Sequence, residues 1–326
     1  MQYRAFGRAG WPVSEIGYGA WGIGGEQWVG GNDTDSVAAL NRAIDAGLNF
    51  IDTAAAYGDG HSETLVGRVA RARAADRPLY IATKVPPKNY TWPARPGIPY
   101  REVFDRDYII ETTEQSLRRL GVERIHLQQL HVWQDEFTEV DDWKEAAERL
   151  RRQGKVERFG ISINDHEPDS AVRVVESGLV DAVQVIYNIF DQTPETRLFP
   201  VCRARQVAII ARCPFDEGAL TGKLTPDTPF DPDDFRTYYF RGDHLQKVYE
   251  RVEKMKAELA GAGMGLPELA LRFCLHDPAV STVIPGMRRP AHVTSNLAVS
   301  DGRPLQPEVL AILRRHAWAK NFYLEG

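Results

Sequence analysis

Asp52, Tyr57, Lys84 and His131 are the side chains of this 326-residue chain whose types and order fit a single reaction. The stretch NFIDTAAAYGDGHSE, residues 49–63, ends a short apolar run on Asp52 and carries the phenol of Tyr57 on the loop that follows. Two later apolar runs end in the same way, YIATK on Lys84 and IHLQQLH on His131. Polar groups at the ends of three successive strands can share one site, and this set suits proton delivery to a carbonyl oxygen. A free phenol, with a pKa of about 10, is a poor acid near neutrality, but a neighbouring ammonium favours the phenolate and lowers that value. Lys84 would supply the ammonium and Asp52 would hold it. A neutral His131 would hydrogen-bond the carbonyl oxygen and fix its direction. No metal is needed.

Bringing these groups together takes a repeating scaffold, and the pattern supplies one. Residues 1–13 read as a hairpin outside the repeat. From Glu15 onward strands alternate with helices. EIGYGAW is followed by DTDSVAALNRAIDAG, which an Asp33-Thr34-Asp35 cap opens and Gly47 closes. NFIDTA precedes HSETLVGRVARAR, and LYIATKV precedes a Pro- and aromatic-rich loop and then RDYIIETTEQSLRRLG. The pattern continues to a seventh strand, VAIIARCP, and an eighth, STVIPG, with an extra helix QPEVLAILRRHA and an aromatic tail WAKNFYLEG at the end. The loop after the seventh strand, about twenty-five residues, is too long for a simple connector and reads as functional or a lid.

Eight strand–helix pairs with apolar strands predict an α/β protein, a (β/α)8 TIM barrel with an N-terminal β-hairpin and an extra C-terminal helix, forming one domain over 1–326. A Rossmann sheet would need G-x-G-x-x-G opening a helix; GYGAWGIGG has the glycines, but no helix starts there. In a barrel the loops after the strands build the site at one face, which is where the four polar groups fall.

Composition removes several classes of function. A formal charge of −5 and a pI near 6.0 leave no footprint for nucleic acid. Cys202, Cys213 and Cys274 have no metal-ligand spacing and read as free thiols in a reducing compartment. No apolar run approaches the roughly 18 residues of a membrane span, and the N-terminus has no apolar leader segment, so a cytoplasmic location is expected.

The residues also resemble a known family, the aldo-keto reductases, over nearly the whole chain. The resemblance rests on F-I-D-T-A-x-x-Y-G before H-S-E, on A-T-K-V, on Leu130-His131, on Gly160-x-Ser162, on Gln184 in VQVIYN, on P-F-D-E-G-A-L-T-G-K at 214–223, and on I-P-G at 284–286 with Asn296 ten residues on. It implies NADPH bound across the C-terminal face of the barrel and a tetrad of Asp52, Tyr57, Lys84 and His131, with Tyr57 as general acid. It further implies that Ser162 and Gln184 hold the nicotinamide carboxamide, with Trp21 near that ring and Asn164 as a further cofactor-binding residue. Arg212, Pro214, Phe215 and Leu220 would wrap the pyrophosphate. Gly286, Met287, Arg288, His292 and Asn296 would surround the adenosine, with Arg288, or alternatively Arg289, gripping a 2′-phosphate.

Three positions depart from the family's pattern. Arg212 stands where many members stack an aromatic ring on the nicotinamide; a guanidinium can stack through its plane but sets a positive charge beside the oxidised ring, so weaker retention of NADP⁺, or a role in binding an anionic group instead, is expected. Ile163 replaces the usual amide, with Asn164 one place later, and Ser295 replaces a glutamate before Asn296. The substrate pocket is expected to draw on Trp21, Trp28, Tyr57, Trp92, His131 and Trp133, with Lys88, Asn89, Tyr90, Tyr238, Tyr239, Phe322 and Tyr323 as further lining. Such aromatics suit an apolar or aromatic carbonyl compound and equally stack on a sugar. A second reading is a redox-sensing, NADP(H)-binding regulatory module resembling channel-associated β subunits of this family. A metal-dependent hydrolase would need clustered histidines, and no H-x-H lies at the first strand.

Overall fold

The computed structural model describes residues 1–324; the last two residues of the expected aromatic tail lie outside them. Strands β1 (Tyr3–Phe6) and β2 (Trp11–Ser14) pair antiparallel as the hairpin. Eight parallel strands follow: β3 (Tyr18–Gly19), β4 (Phe50–Asp52), β5 (Tyr80–Val85), β6 (Ile125–Leu130), β7 (Val156–Ser162), β8 (Ala182–Ile186), β9 (Ala208–Arg212) and β10 (Val280–Val283). Each pairs with its neighbour in sequence. The ends meet through parallel bridges Ile16–Val283 and Gly19–Gly286, with Gly17 N–H donating to Val283 O at 2.8 Å. The sheet therefore closes as the (β/α)8 barrel that the alternation predicts.

Between the strands run α1 (Asp33–Asp45), α2 (His61–Ala72), α3 (Tyr100–Val103), α4 (Arg106–Leu120), α5 (Asp141–Arg152), α6 (Val172–Glu176), α7 (Leu198–Arg205), α8 (Phe235–Tyr239), α9 (His244–Glu258) and α10 (Leu266–His276); α11 (Pro290–Leu297) follows the last strand, and α12 (Pro307–Arg314) is the extra helix. The start of α1 corrects the expected cap. Asn32, not Asp33-Thr34-Asp35, is the cap, its side-chain oxygen accepting the N–H of Asp35 at 2.8 Å. Asp33 and Asp35 sit in the first turn, where the helix dipole favours carboxylates.

The hairpin stops one end of the barrel. Phe6 stacks on Trp11 and on Phe50, and Trp11 stacks on Tyr80, with ring centroids 5.1–5.4 Å apart. Phe50 and Tyr80 begin their strands, so this apolar plug covers the N-terminal face and leaves the C-terminal face for chemistry. The long segment after β9 holds a short 3-10 stretch, Asp216–Thr221, and then α8. None of the described helices is long and apolar enough to cross a membrane.

Candidate active site

Asp52 is the last residue of β4 and Lys84 the fifth of β5, in adjacent paired strands. Their side chains meet at the barrel's C-terminal face, both buried, with Lys84 Nζ 2.5 Å from Asp52 Oδ1. The same ammonium donates to the Thr53 carbonyl at 2.8 Å and to the Tyr57 hydroxyl at 3.3 Å. The second Asp52 oxygen accepts from Gln184 Nε2 at 2.8 Å and Gln129 Nε2 at 3.4 Å. His131, directly after β6, sets its ring edge-to-face against Tyr57 with centroids 5.7 Å apart. The four residues singled out from the sequence thus converge.

Local packing fixes where Tyr57 stands. Gly58 has φ +61°, and a Cβ there would lie 2.0 Å from the Gly24 carbonyl oxygen, so only glycine lets the loop after β3 press against the loop after β4. That contact brings Trp21 to 6.2 Å from the Tyr57 ring. Beneath, the buried Glu63 of α2 accepts from Thr83 at 2.5 Å and from Arg119 Nε at 2.6 Å. This ties α2 and α4 to the strand that carries Lys84.

The electrostatics correct one expectation. Burial first, and then the negative charge of Asp52, push the Tyr57 phenol well above its ordinary range, with Arg212 pulling the other way. Asp52 largely neutralises Lys84, so the ammonium does not make the resting phenol acidic. Burial lowers Lys84, opposed by Asp52. Tyr57 is therefore a protonated donor at neutral pH, and the ammonium is placed to steady a phenolate only as it forms.

Burial, then the charges of Lys84 and Arg212, hold His131 well below the ordinary imidazole value of 6.5, and its Nδ1 has no hydrogen-bond partner among the described residues. The folded chain keeps this ring neutral where the unfolded chain protonates it. The resulting stability is fully present above about pH 6.5 and declines as the pH falls below it. Wild-type protein should accordingly lose more stability than His131→Gln between neutrality and about pH 5. Urea unfolding at several pH values checks this, and equal slopes would contradict it.

A continuous cleft of about 1130 Å³ runs over this face, from Trp92 and Glu111 past Tyr57 to His292 and Asn296. A pocket for one small molecule occupies roughly 300–1,000 Å³, so a dinucleotide and a substrate can share this one. Trp21, Ser162, Asn164, Gln184, Arg212, Pro214 and Phe215 line its middle, and Gly286, Met287, Arg288, His292 and Asn296 its far end. Asn296 Nδ2 is buried there without a partner, a donor aimed at nothing within the protein. That unpaired donor and the volume of the cleft fit a nicotinamide dinucleotide. Among the described residues no group of three or more His, Cys, Asp or Glu is placed to hold a metal.

Several expected contacts fall elsewhere. Leu220 does not line the cleft: its side chain is buried, and its N–H already donates to Phe215 O at 3.0 Å. Trp133 is wholly buried, its Nε1 bonded to Ser170 O and its ring edge-on to Phe137 and Trp143, so it is core. Tyr239 and Phe322 are likewise buried, and Lys88 pairs with Asp105. Trp21, Trp28, Tyr57, Trp92 and His131 do line the cleft, joined by Tyr90 and Tyr323.

Arg212 is neither free for an anion nor unpaired, because its guanidinium donates to Asp165 Oδ1 at 2.7 Å and to Ile163 O at 3.1 Å. Asn164 is pinned to Ala94, accepting its N–H and donating to its carbonyl. Arg288 donates to the carbonyls of Trp28 and Val29 at 2.6 and 2.8 Å, which holds the loop after β3 over the cleft.

Sequence reading missed Asp165, Gln129 and Lys223. Gln129 carried a signal, an amide inside an otherwise apolar strand. Lys223 lines the cleft beside Arg288 and His292, and together with Arg289 they lower His292, after burial.

The closed (β/α)8 barrel thus carries a buried carboxylate–ammonium pair beside a phenol, with one large cleft at the strand ends. The aldo/keto reductase family model matches residues 15–317, and the chain belongs to that family. It is 29% identical over 296 residues to the Aldo-keto reductase YhdN of Bacillus subtilis (strain 168), covering 90% of this chain and 87% of that one. It is 28% identical to the NADH-specific methylglyoxal reductase of Escherichia coli (strain K12), covering 88% and 89%. Among solved structures, the holo form of aldo-keto reductase AKR11C1 from Bacillus halodurans superposes with a TM-score of 0.77 at 26% identity, covering 98% and 97%. An aldo-keto reductase from Klebsiella pneumoniae in complex with NADPH gives 0.71 at 25% identity, covering 98% and 97%.

Proposed function

We propose that the protein is an NADPH-dependent reductase of small aldehydes or ketones in which Tyr57 is the proton donor. The observation that carries this reading is the single Lys84 ammonium within reach of both Asp52 Oδ1 and the Tyr57 hydroxyl, beside a neutral His131 in the cleft. When bound, the reduced nicotinamide supplies the hydride. Tyr57 holds the proton that the carbonyl oxygen takes as its negative charge grows, and Lys84 stabilises the phenolate left behind. Asp52 keeps Lys84 in place and charged, while Gln184 and Gln129 keep Asp52 oriented. His131 directs the carbonyl oxygen by a hydrogen bond. Such acid–base assistance contributes about 10²–10⁴-fold.

Trp21, Ser162, Gln184, Pro214 and Phe215 would hold the nicotinamide and pyrophosphate, with Arg212 and Asn164 as wall residues fixed by Asp165 and Ala94, and Gly286, Met287, Arg288, His292 and Asn296 would surround the adenosine. The Gln184 amide nitrogen donates to Asp52 at 2.8 Å, which leaves its oxygen for the carboxamide. Preference for NADPH over NADH rests on Lys223 and Arg288, which have no carboxylate partner among the described residues and can meet a 2′-phosphate. Lys223→Met should raise the KM for NADPH by about tenfold and leave that for NADH nearly unchanged, since one charge-assisted contact is lost. Equal effects on both nucleotides would contradict the assignment. The intact set of four favours turnover over a redox-sensing module. Steady-state NADPH oxidation with a panel of aldehydes tests this, and no rate with any of them would overturn it.

A further inference from the structure

We propose, resting on the reductase reading above, that Asp165 is a positioning residue that sets the relative affinity for oxidised and reduced nucleotide by neutralising Arg212 in the cleft wall. A chain of bonds joins Arg212 to the reaction centre. Gln184 Nε2 donates to Asp52 at 2.8 Å, the Gln184 carbonyl accepts the Ile163 N–H at 3.1 Å, and the Ile163 carbonyl accepts from Arg212 Nη2 at 3.1 Å. All four residues line the cleft. The guanidinium is thereby fixed beside the reacting groups, and its charge bears on Tyr57, Lys84 and His131 alike.

Hydride transfer needs the nicotinamide in contact with the carbonyl carbon whose oxygen Tyr57 and His131 hold. The ring therefore lies within the field of the same guanidinium. Oxidised nucleotide carries a positive charge on that ring and reduced nucleotide carries none, whereas their phosphates are alike and cancel from the ratio of affinities. An unmatched cation here would penalise the oxidised form alone.

Asp165 supplies the match. Its Oδ1 accepts from Arg212 Nη2 at 2.7 Å, both side chains are mostly buried, and no other carboxylate pairs with Arg212 among the described residues. Glu217 does not share the task, because it accepts from the Tyr323 hydroxyl and the Cys213 thiol and burial raises its carboxyl above the usual range. The backbone around Asp165 is held from two sides: Asn164 is bonded to Ala94, and Asn321 Nδ2 donates to the Asp165 carbonyl at 3.4 Å. The weaker retention of NADP⁺ expected from the sequence counts Arg212 without this partner.

The test titrates the full chain with NADPH and with NADP⁺, following quenching of tryptophan fluorescence, and takes the ratio Kd(NADP⁺)/Kd(NADPH) without any turnover. Asp165→Asn leaves the guanidinium unmatched and should raise this ratio by about tenfold, whereas Arg212→Met leaves the carboxylate unmatched and should lower it by about the same factor. The double variant should return the ratio to within about twofold of the wild type, since the two charges act on one ring. Asp165→Glu, which keeps the charge, should leave it nearly unchanged. If Asp165→Asn does not fold, Arg212→Met decides alone. A ratio unmoved by the single variants, or equal weakening of both nucleotides as a merely structural pair would give, overturns the proposal. A wild type that binds neither nucleotide overturns the reductase reading instead.

Discussion

Tyr57→Phe should lower kcat by about 10²–10⁴-fold, the contribution of a positioned general acid, while the fold and nucleotide affinity persist. The hydroxyl is the only atom removed, and its one described partner is Lys84 Nζ at 3.3 Å. The ring remains to pack against Trp21 and His131. Because burial and Asp52 hold the phenol well above its ordinary range, wild-type kcat should not fall through loss of this proton until the pH exceeds about 10. Stopped-flow nucleotide consumption, paired with a fluorescence titration of NADPH, separates the chemical loss from a binding loss. A variant that turns over at the wild-type rate would remove Tyr57 from the reaction.

Lys84→Met should be costly in two ways at once. Its side chain is fully buried and bonded to Asp52, so removing it leaves a buried carboxylate without its counterion. Breaking a buried pair from one side costs about 3–5 kcal/mol, although removing both partners often costs far less. The double variant Asp52→Asn, Lys84→Met should therefore be more stable to urea than Lys84→Met alone, and both should have kcat reduced by a large factor. Additive losses in stability would show that the two side chains do not act as a pair. A Lys84→Met protein with normal kcat would show that the ammonium does not support the phenol.

The barrel was legible because its strands are buried on both faces and read as short apolar runs, each followed by a helix of regular period. Asp52, Lys84 and His131 stood out because each ends or follows such a run, where a polar side chain interrupts an apolar pattern. What was hidden depends on partners far away in sequence. Arg212 reads as a free guanidinium until Asp165, 47 residues earlier, is seen beside it. Arg288 is anchored by carbonyls 259 and 260 residues away, which fix its position and leave its charge unpaired. Trp133 follows the strand that delivers His131, yet turns into the packing between Phe137 and Trp143, because an aromatic gains more from burial than from a cleft wall. The expected lowering of Tyr57 fails for the same reason: the charge of Lys84 is legible in the sequence, but its neutralisation by Asp52 and the burial of the phenol are not.

The most direct test follows a labelled hydrogen. Protein is given nicotinamide nucleotide deuterated at the transferable C4 position together with an aldehyde from the panel that it turns over, and the product alcohol is analysed by mass spectrometry. The account predicts one deuterium on the former carbonyl carbon with the wild type, and almost none in the same time with Tyr57→Phe at equal nucleotide occupancy. Equal labelling by the two proteins, or unlabelled product from the wild type, would contradict it.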